Sequence, residues 1–306
     1  MILAGTALAS CNNFFDTQVD LPTPEHEPRM AIAGLFTDND TLLTVDVNRT
    51  YGLFESRPQN REQVIEGATV KILEDGNVRY ELDYRETEIL NVFAYDTPTN
   101  GTPFDAGKTY ELVVEHPELP NIRATQVMPA AVELENAEIE FVGENAINFT
   151  NSRLRFDLND PATRNYYELV ISSVFRDTFI DETGQIFINE YEDIVYWYEE
   201  DLVSADARPG FRNSSLLFSD EAFNGQRRSF TLPFYSFSLE QDEGQSNGST
   251  RIYWRTVTED YYRYSSSLQD FSIADGNPFA EPVSVFSNIE NGVGCFGLRA
   301  EKIYEF

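Results

Sequence analysis

A mainly β chain of two sandwich-like domains is what this 306-residue sequence predicts: an N-terminal sandwich of immunoglobulin-like or carboxypeptidase-regulatory type, and a larger C-terminal sandwich carrying one short α-helix. Three observations point that way. Between Arg29 and Pro129, seven short runs of β-branched and aromatic residues are punctuated by Gly, Pro, Asn and Asp. The chain holds 16 Tyr and 23 Phe against 3 Met, a composition suited to pleated, half-buried surfaces. One segment alone repeats its apolar residues strongly at helical spacing.

In chain order, Met1 to Ala9 is apolar and ends in Leu8-Ala9-Ser10-Cys11, followed by the polar Asn12 and Asn13. Two small residues before a cysteine are what a lipoprotein signal peptidase requires, and the thiol accepts the diacylglycerol. Residues 1–10 are therefore expected to be a signal peptide, and Cys11 a lipidated N-terminus. Acyl chains contribute roughly 0.8 kcal/mol per buried methylene, so two or three of them anchor a domain firmly. No Lys or Arg precedes the apolar run, so the basic part of the signal is expected upstream of Met1. Residues 11–28, with Pro22, Pro24 and Pro28, read as an extended tether.

The first domain is expected over 29–130. Its strands are Ala31–Phe36, Leu42–Val47, Ala68–Leu73, Val78–Tyr84, Ile89–Tyr95, Tyr110–Val114 and Ile122–Val127. Glu74-Asp75-Gly76-Asn77 is a hairpin turn signal, and Asn48 to Glu66 is a long polar loop. The second domain is expected over 131–306. Glu138–Val142 and Ile147–Asp157 alternate polar with apolar, Tyr166–Phe179 is a long strand, and Asp181-Glu182-Thr183-Gly184 turns it back through Gln185–Tyr198. Leu216–Phe218, Ser229–Leu239 and Arg251–Val257 are further strands, with Gln241–Ser249 a polar loop. Over 258–272 a helix is expected, with Thr258 capping it, Glu259 and Asp260 complementing its dipole, and Tyr261, Tyr264, Leu268 and Phe271 as its apolar face. Pro282 to the end is again strand-like.

Charge narrows the function classes. Asp and Glu number 52 against 22 Lys and Arg, a net charge of −30. Such a surface repels phosphate backbones, so nucleic acid is not an expected partner. It is repelled by anionic head groups too, so any membrane attachment falls to the lipid. Chemistry is thinly supported. The two histidines are His26, in the tether, and His116, in a loop; no nucleophile elbow, phosphate loop or zinc-spaced Cys/His set is present. Asp38-Asn39-Asp40 and Asp181-Glu182 offer loop carboxylates of the kind that hold calcium, and solvated loop acids are the preferred reading of both. No catalytic residue, metal or cofactor is expected. Cys295 sits in an apolar stretch and reads as a buried, inert thiol.

Several stretches resemble a known family. Asp260-Tyr261-Tyr262-Arg263-Tyr264, Asn277-Pro278-Phe279, Glu281-Pro282-Val283, Ser287 to Gly294 and Phe296-Gly297 resemble the C-terminal signature of a lipoprotein family of Bacteroidota, domain of unknown function 4249. Leu217 to Glu221 with Phe223-Asn224-Gly225 resembles its middle signature, and Asn165-Tyr166-Tyr167 the opening of its second domain. The resemblance implies an outer-membrane lipoprotein, encoded near TonB-dependent transporters, and no defined activity. The expected function is then a non-enzymatic accessory or ligand-capture subunit of such a transporter. The alternative is a surface-anchored hydrolase of glycans or peptides. Only Asp16 is acidic in the stretch after Cys11, which leaves the periplasmic and cell-surface faces both open. The signature's glycines, with Ser287 and Asn288, read as structural first.

The predicted contact strip is the end of the second domain's hairpin: Tyr196, Trp197 and Tyr198, with Glu199, Glu200 and Asp201 beside them. Alternate strand residues face opposite sides, so Tyr196 and Tyr198 share one face and Trp197 takes the other. The acids that follow place this end in water. The competing reading has Trp197 covering the edge of the sandwich core.

Overall fold

In the computed structural model, residues 26–52, 55, 63–87, 92–144, 149–180, 183–196, 207–237, 245–275, 277 and 279–306 are described. Cys11 and the expected signal peptide lie outside them.

The first half folds as β1 (Met30–Thr37), β2 (Leu42–Arg49), β3 (Thr69–Glu74), β4 (Asn77–Glu86), β5 (Phe93–Pro98), β6 (Thr109–Glu115) and β7 (Ile122–Val127). Period-2 alternation builds these strands: along β1 and β2 alternate side chains are buried. The expected turn joins β3 to β4, with Asp75 and Gly76 both at positive φ, the twist-matched two-residue geometry.

The second half supplies β8 (Leu134–Glu144), β9 (Phe149–Asn159), β10 (Tyr166–Ile180), β11 (Ile186–Ile194), β12 (Ala207–Pro209), β13 (Leu216–Ser219), β14 (Arg227–Phe237), β15 (Gln245–Val257), helix α1 (Glu259–Ala274) and β16 (Val293–Glu305). Two expectations change here. Residues 245–249 are strand, because the long β10 offers partners as far as Asp177 opposite Gln245. The last strand starts only at Val293, and most of the stretch from Pro282 runs without regular structure.

The architecture is mainly β and sandwich-like. A 13-stranded sheet runs β12-β13-β10-β15-β16-β1-β2-β5-β4-β3-β6-β7, with β11 beside β10, and a three-stranded sheet β14-β9-β8 covers part of it. One sheet thus passes through both halves. The joint is β16 on β1, the one parallel pair among the described strands. At its far end the sheet curls back: the Glu290 N–H donates to the Arg123 carbonyl at 2.9 Å, bringing β7 against the segment that enters β16.

There are two large cores. The first takes residues from β1 to β7 and also Phe296, Leu298 and Ala300 of β16. The second lies between the sheets, with Leu154 and Phe156 of β9, Phe230 and Leu232 of β14, and Tyr167, Leu169 and Trp254 of the large sheet. Trp254 stacks on Tyr167 at 5.0 Å, and its indole N–H reaches the Val132 carbonyl at 3.0 Å, so this large buried side chain leaves no polar atom unpaired.

Helix α1 lies on the opposite face of the large sheet. Gly297 allows this approach, since a Cβ there would stand 3.0 Å from the Tyr261 Cβ. The expected helix forms, with two differences. Thr258 makes no side-chain cap; its hydroxyl accepts from the Leu298 N–H instead. The buried face is Tyr261, Ser265, Ser266 and Gln269, with Phe271 exposed; Tyr261 bonds Glu168 of the sheet, while Gln269 bonds Arg212 and Asn213 of a neighbouring turn.

Cys295 is fully buried on β16, and burial pushes its thiol well above the ordinary range. In a chain carrying Cys11→Ser, the native protein is expected to resist a thiol reagent such as DTNB and to react stoichiometrically once unfolded. Rapid labelling of the folded protein would overturn that.

Candidate functional site

Between α1 and the large sheet is a cavity of about 510 Å³. Strand register sets its floor. Glu168 of β10 lies opposite Arg255 of β15, and Arg255 lies opposite Glu301 of β16, so one row of alternating charge crosses three strands. Two residues along each strand, Val170 faces Tyr253. Odd residues of β15 and even residues of β10 point here, while Trp254 and Leu169 point into the core beneath.

The floor is charged yet internally paired. Glu168 is 3% exposed. It accepts from Arg255 Nη1 at 2.8 Å and from the Tyr261 hydroxyl at 2.7 Å, and Arg299 Nη1 stands 3.6 Å away. Burial disfavours its carboxylate, but the two guanidinium groups and these hydrogen bonds outweigh that, and its pKa falls below the ordinary 4.5. Arg255 also donates to Glu301 at 2.6 Å. Arg299 rests on the Tyr261 ring, 5.1 Å from its centroid, and donates to the Leu35 carbonyl.

The walls are aromatic. Tyr261 and Tyr264 line one side from the helix, and Tyr253 stands on the floor with its hydroxyl on Glu192 at 2.8 Å. Phe211 closes another side. It sits in a short 3-10 turn held to α1 by Gln269, whose side chain accepts from the Arg212 N–H at 2.7 Å and donates to Asn213 at 2.6 Å. The sequence-based reading of Tyr261 and Tyr264 as part of the helix's apolar face is thus half the story: Tyr261 is buried, and with Tyr264 it also walls a cavity. Tyr264 borders a second cavity of about 320 Å³ on the far side of the helix.

Beside the cavity, β10 and β11 extend past the sheet as a two-stranded ribbon. Its base is fastened by ion pairs. Arg176 bonds Glu190 at 2.8 Å and Glu305 at 2.6 Å, and Arg251 reaches Glu190 at 3.0 Å and contacts Glu192. Hydrogen bonds from Arg176 and Ser249 bring Glu305 down to about 2. Its outer part is apolar on both faces: Phe179 stacks on Phe187 at 5.2 Å, and Ile180 (65% exposed), Ile186 and Ile188 (64%) stand on the other side. Among the described strands β11 pairs with β10 alone, leaving its outer edge open.

Of the predicted contact strip, Tyr196 alone is among the described residues. The turn lies around Thr183 and Gly184, whereas Tyr196, exposed, follows the end of β11 at the ribbon's base. Its neighbour Val195 is buried and bonds the Ile171 carbonyl at 2.9 Å, which draws the chain back into the fold. Trp197, Tyr198, Glu199, Glu200 and Asp201 lie outside the described residues. Among the described residues, Phe179 and Phe187 are the exposed aromatics that flank the turn. Two aromatics placed symmetrically about a turn signal were the available clue. The cavity had no local signal, because its residues come from seven separate elements.

Several of the family-like stretches make contacts that hold the fold together. Asn288 clasps β16, donating to the Phe296 carbonyl at 2.8 Å and accepting from its N–H at 3.0 Å. Asp220, fully buried, accepts from the Asn165 N–H, and Asp160 accepts from the Gly225 N–H at 2.8 Å, so the middle and second-domain stretches latch together. Among the described residues, no group of three or more His, Cys, Asp or Glu is placed to hold a metal, and no helix is long and apolar enough to cross a membrane.

A family model described as a domain of unknown function, DUF4249, matches residues 16–304. A search of the curated proteins finds no match.

Proposed function

This chain belongs to the DUF4249 family, and on that premise we propose that it is a lipid-anchored accessory subunit of an outer-membrane transporter of the TonB-dependent class, non-enzymatic and acting in ligand capture. One observation carries the reading. A chain of net charge −30 holds out an apolar ribbon, fastened at its base and, among the described strands, paired along one edge only. Large apolar side chains left in water at a rigid protrusion are what partner surfaces are made of. The Leu8 to Cys11 pattern supports attachment at the membrane where such a partner resides.

The experiment is co-purification from detergent-solubilised outer membrane. Tagged chain is expected to bring a β-barrel transporter with it, and Ile180→Ser/Ile188→Ser is expected to cut recovery about tenfold or more, with the melting temperature kept. Cys11→Ser is expected to move the chain into the soluble fraction. A lone monomer under conditions that preserve known transporter complexes, or full recovery with the ribbon variant, would sink the proposal.

A further inference from the structure

We infer that the 510 Å³ cavity under α1 is a binding site for an uncharged saccharide of two or three rings. The volume falls within the range of small-molecule sites. The class of ligand follows from what the cavity offers and from what it has already used.

Charge is used up. The charged side chains lining the cavity are Glu168, Glu192, Arg255 and Arg299, two of each sign. Glu168 is engaged by Arg255 and Tyr261, Arg255 also by Glu301, and Glu192 by Tyr253, Ser172 and Arg251. Arg299 lies 3.6 Å from Glu168 and donates to the Leu35 carbonyl and the Tyr261 hydroxyl, with its buried Nε left without a partner among the described residues. An anionic ligand would have to take a guanidinium from a buried carboxylate, and a cationic one the reverse. Either leaves an unpaired charge in a poorly solvated place, at a cost larger than the new contact returns. A purely apolar ligand fares no better, since it would cover this row of polar atoms with nothing to bond them.

What remains suits a ring that is apolar on its faces and hydroxylated at its rim. Tyr253, Tyr264 and Phe211 present aromatic surface from three separate elements. A carboxylate oxygen accepts more than one hydrogen bond, so Glu168 and Glu192, though paired internally, can still receive a ligand hydroxyl. Ser214, Ser215 and Ser265 add hydroxyls that both give and accept. The polar groups are already fixed in place, so binding need not order them.

This inference stands apart from the transporter proposal. The cavity could hold its ligand with no partner attached, and the partner could dock with the cavity empty.

Titration calorimetry of the whole chain tests it. The probes are maltotriose, cellotriose, xylotriose and chitotriose, with trigalacturonate as the charged counterpart. At least one neutral probe is expected to bind with a Kd below about 1 mM, and trigalacturonate about tenfold more weakly or not at all. Phe211→Ala and Tyr253→Ala are each expected to weaken the neutral probe about tenfold. Phe211 lies on a surface turn, so its variant keeps the test informative if Tyr253→Ala unfolds, and transporter recovery is expected to be unchanged in it. Failure of all four neutral probes, equal affinity for trigalacturonate, or unchanged affinity in the folded Phe211→Ala chain would each overturn the inference.

Discussion

Gly294→Ala is expected to cost the protein its native fold. Gly294 sits where β16 meets β1, at φ 113°, in a region side chains rarely adopt. A Cβ built there would stand 2.8 Å from the Ile32 carbonyl carbon and 2.9 Å from its nitrogen, and closer still to its oxygen. These are backbone atoms of the parallel partner strand and cannot rotate away. Relief means separating β16 from β1, the joint through which the large sheet passes from one half to the other. Steric conflict and backbone strain together are expected to exceed about 3 kcal/mol, a large part of a typical folding free energy. Gly76→Ala is the control. Its φ is 84°, but nothing lies within 4 Å of the added carbon, so only the conformational term of about 1 kcal/mol applies. Thermal melts of the two variants decide the matter. A Gly294→Ala chain melting no lower than Gly76→Ala would refute the close-approach explanation.

Glu168→Gln comes second. The substitution keeps an acceptor for Tyr261 but removes the charge opposite Arg255 and Arg299. Breaking a buried pair by removing one partner costs about 3–5 kcal/mol, most of it the stranded opposite charge. Glu301 still serves Arg255, so the lower end of that range is expected. Glu190→Gln, in the exposed network at the ribbon's base, is expected to cost under about 1 kcal/mol. The pH dependence has a definite sign. The folded pKa of Glu168 lies below 4.5, so its stabilisation is fully present above that value and fades as pH falls through the folded pKa. The gap in melting temperature between wild type and Glu168→Gln is therefore expected to be full at pH 7 and to narrow below about pH 4.5. A gap that is negligible at pH 7, or that widens in acid, would show that the buried charge row does not stabilise the fold.

Much of the strand content was legible because it is local. Ala31 to Phe36 alternates along the chain as it does across the strand, and Asp75-Gly76 turns wherever it is placed between two such runs. The length of β15 was not: Gln245 to Ser249 is polar, and it becomes strand only because β10 is long enough to pair with it. The helix's place was legible from the spacing of Tyr261, Tyr264 and Leu268. Its buried face was not, since Tyr261 and Gln269 find their partners on β10 and on the Phe211–Asn213 turn, which the helix meets only after folding.

The sequence by itself determined the mainly β class, the single strong helix and the anticipated burial of Cys295. Each follows from side-chain periodicity, turn chemistry or apolar surroundings within a few residues. Tertiary structure decided the rest. Glu168, Arg255 and Glu301 form a charge row because three strands separated by up to 133 positions pair in one register, and a shift of a single residue would turn each of them to the opposite face. The apolar ribbon is exposed for the converse reason: Phe179 and Ile188 have the composition of core residues, and only the point at which the rest of the sheet stops pairing with β10 leaves them in water.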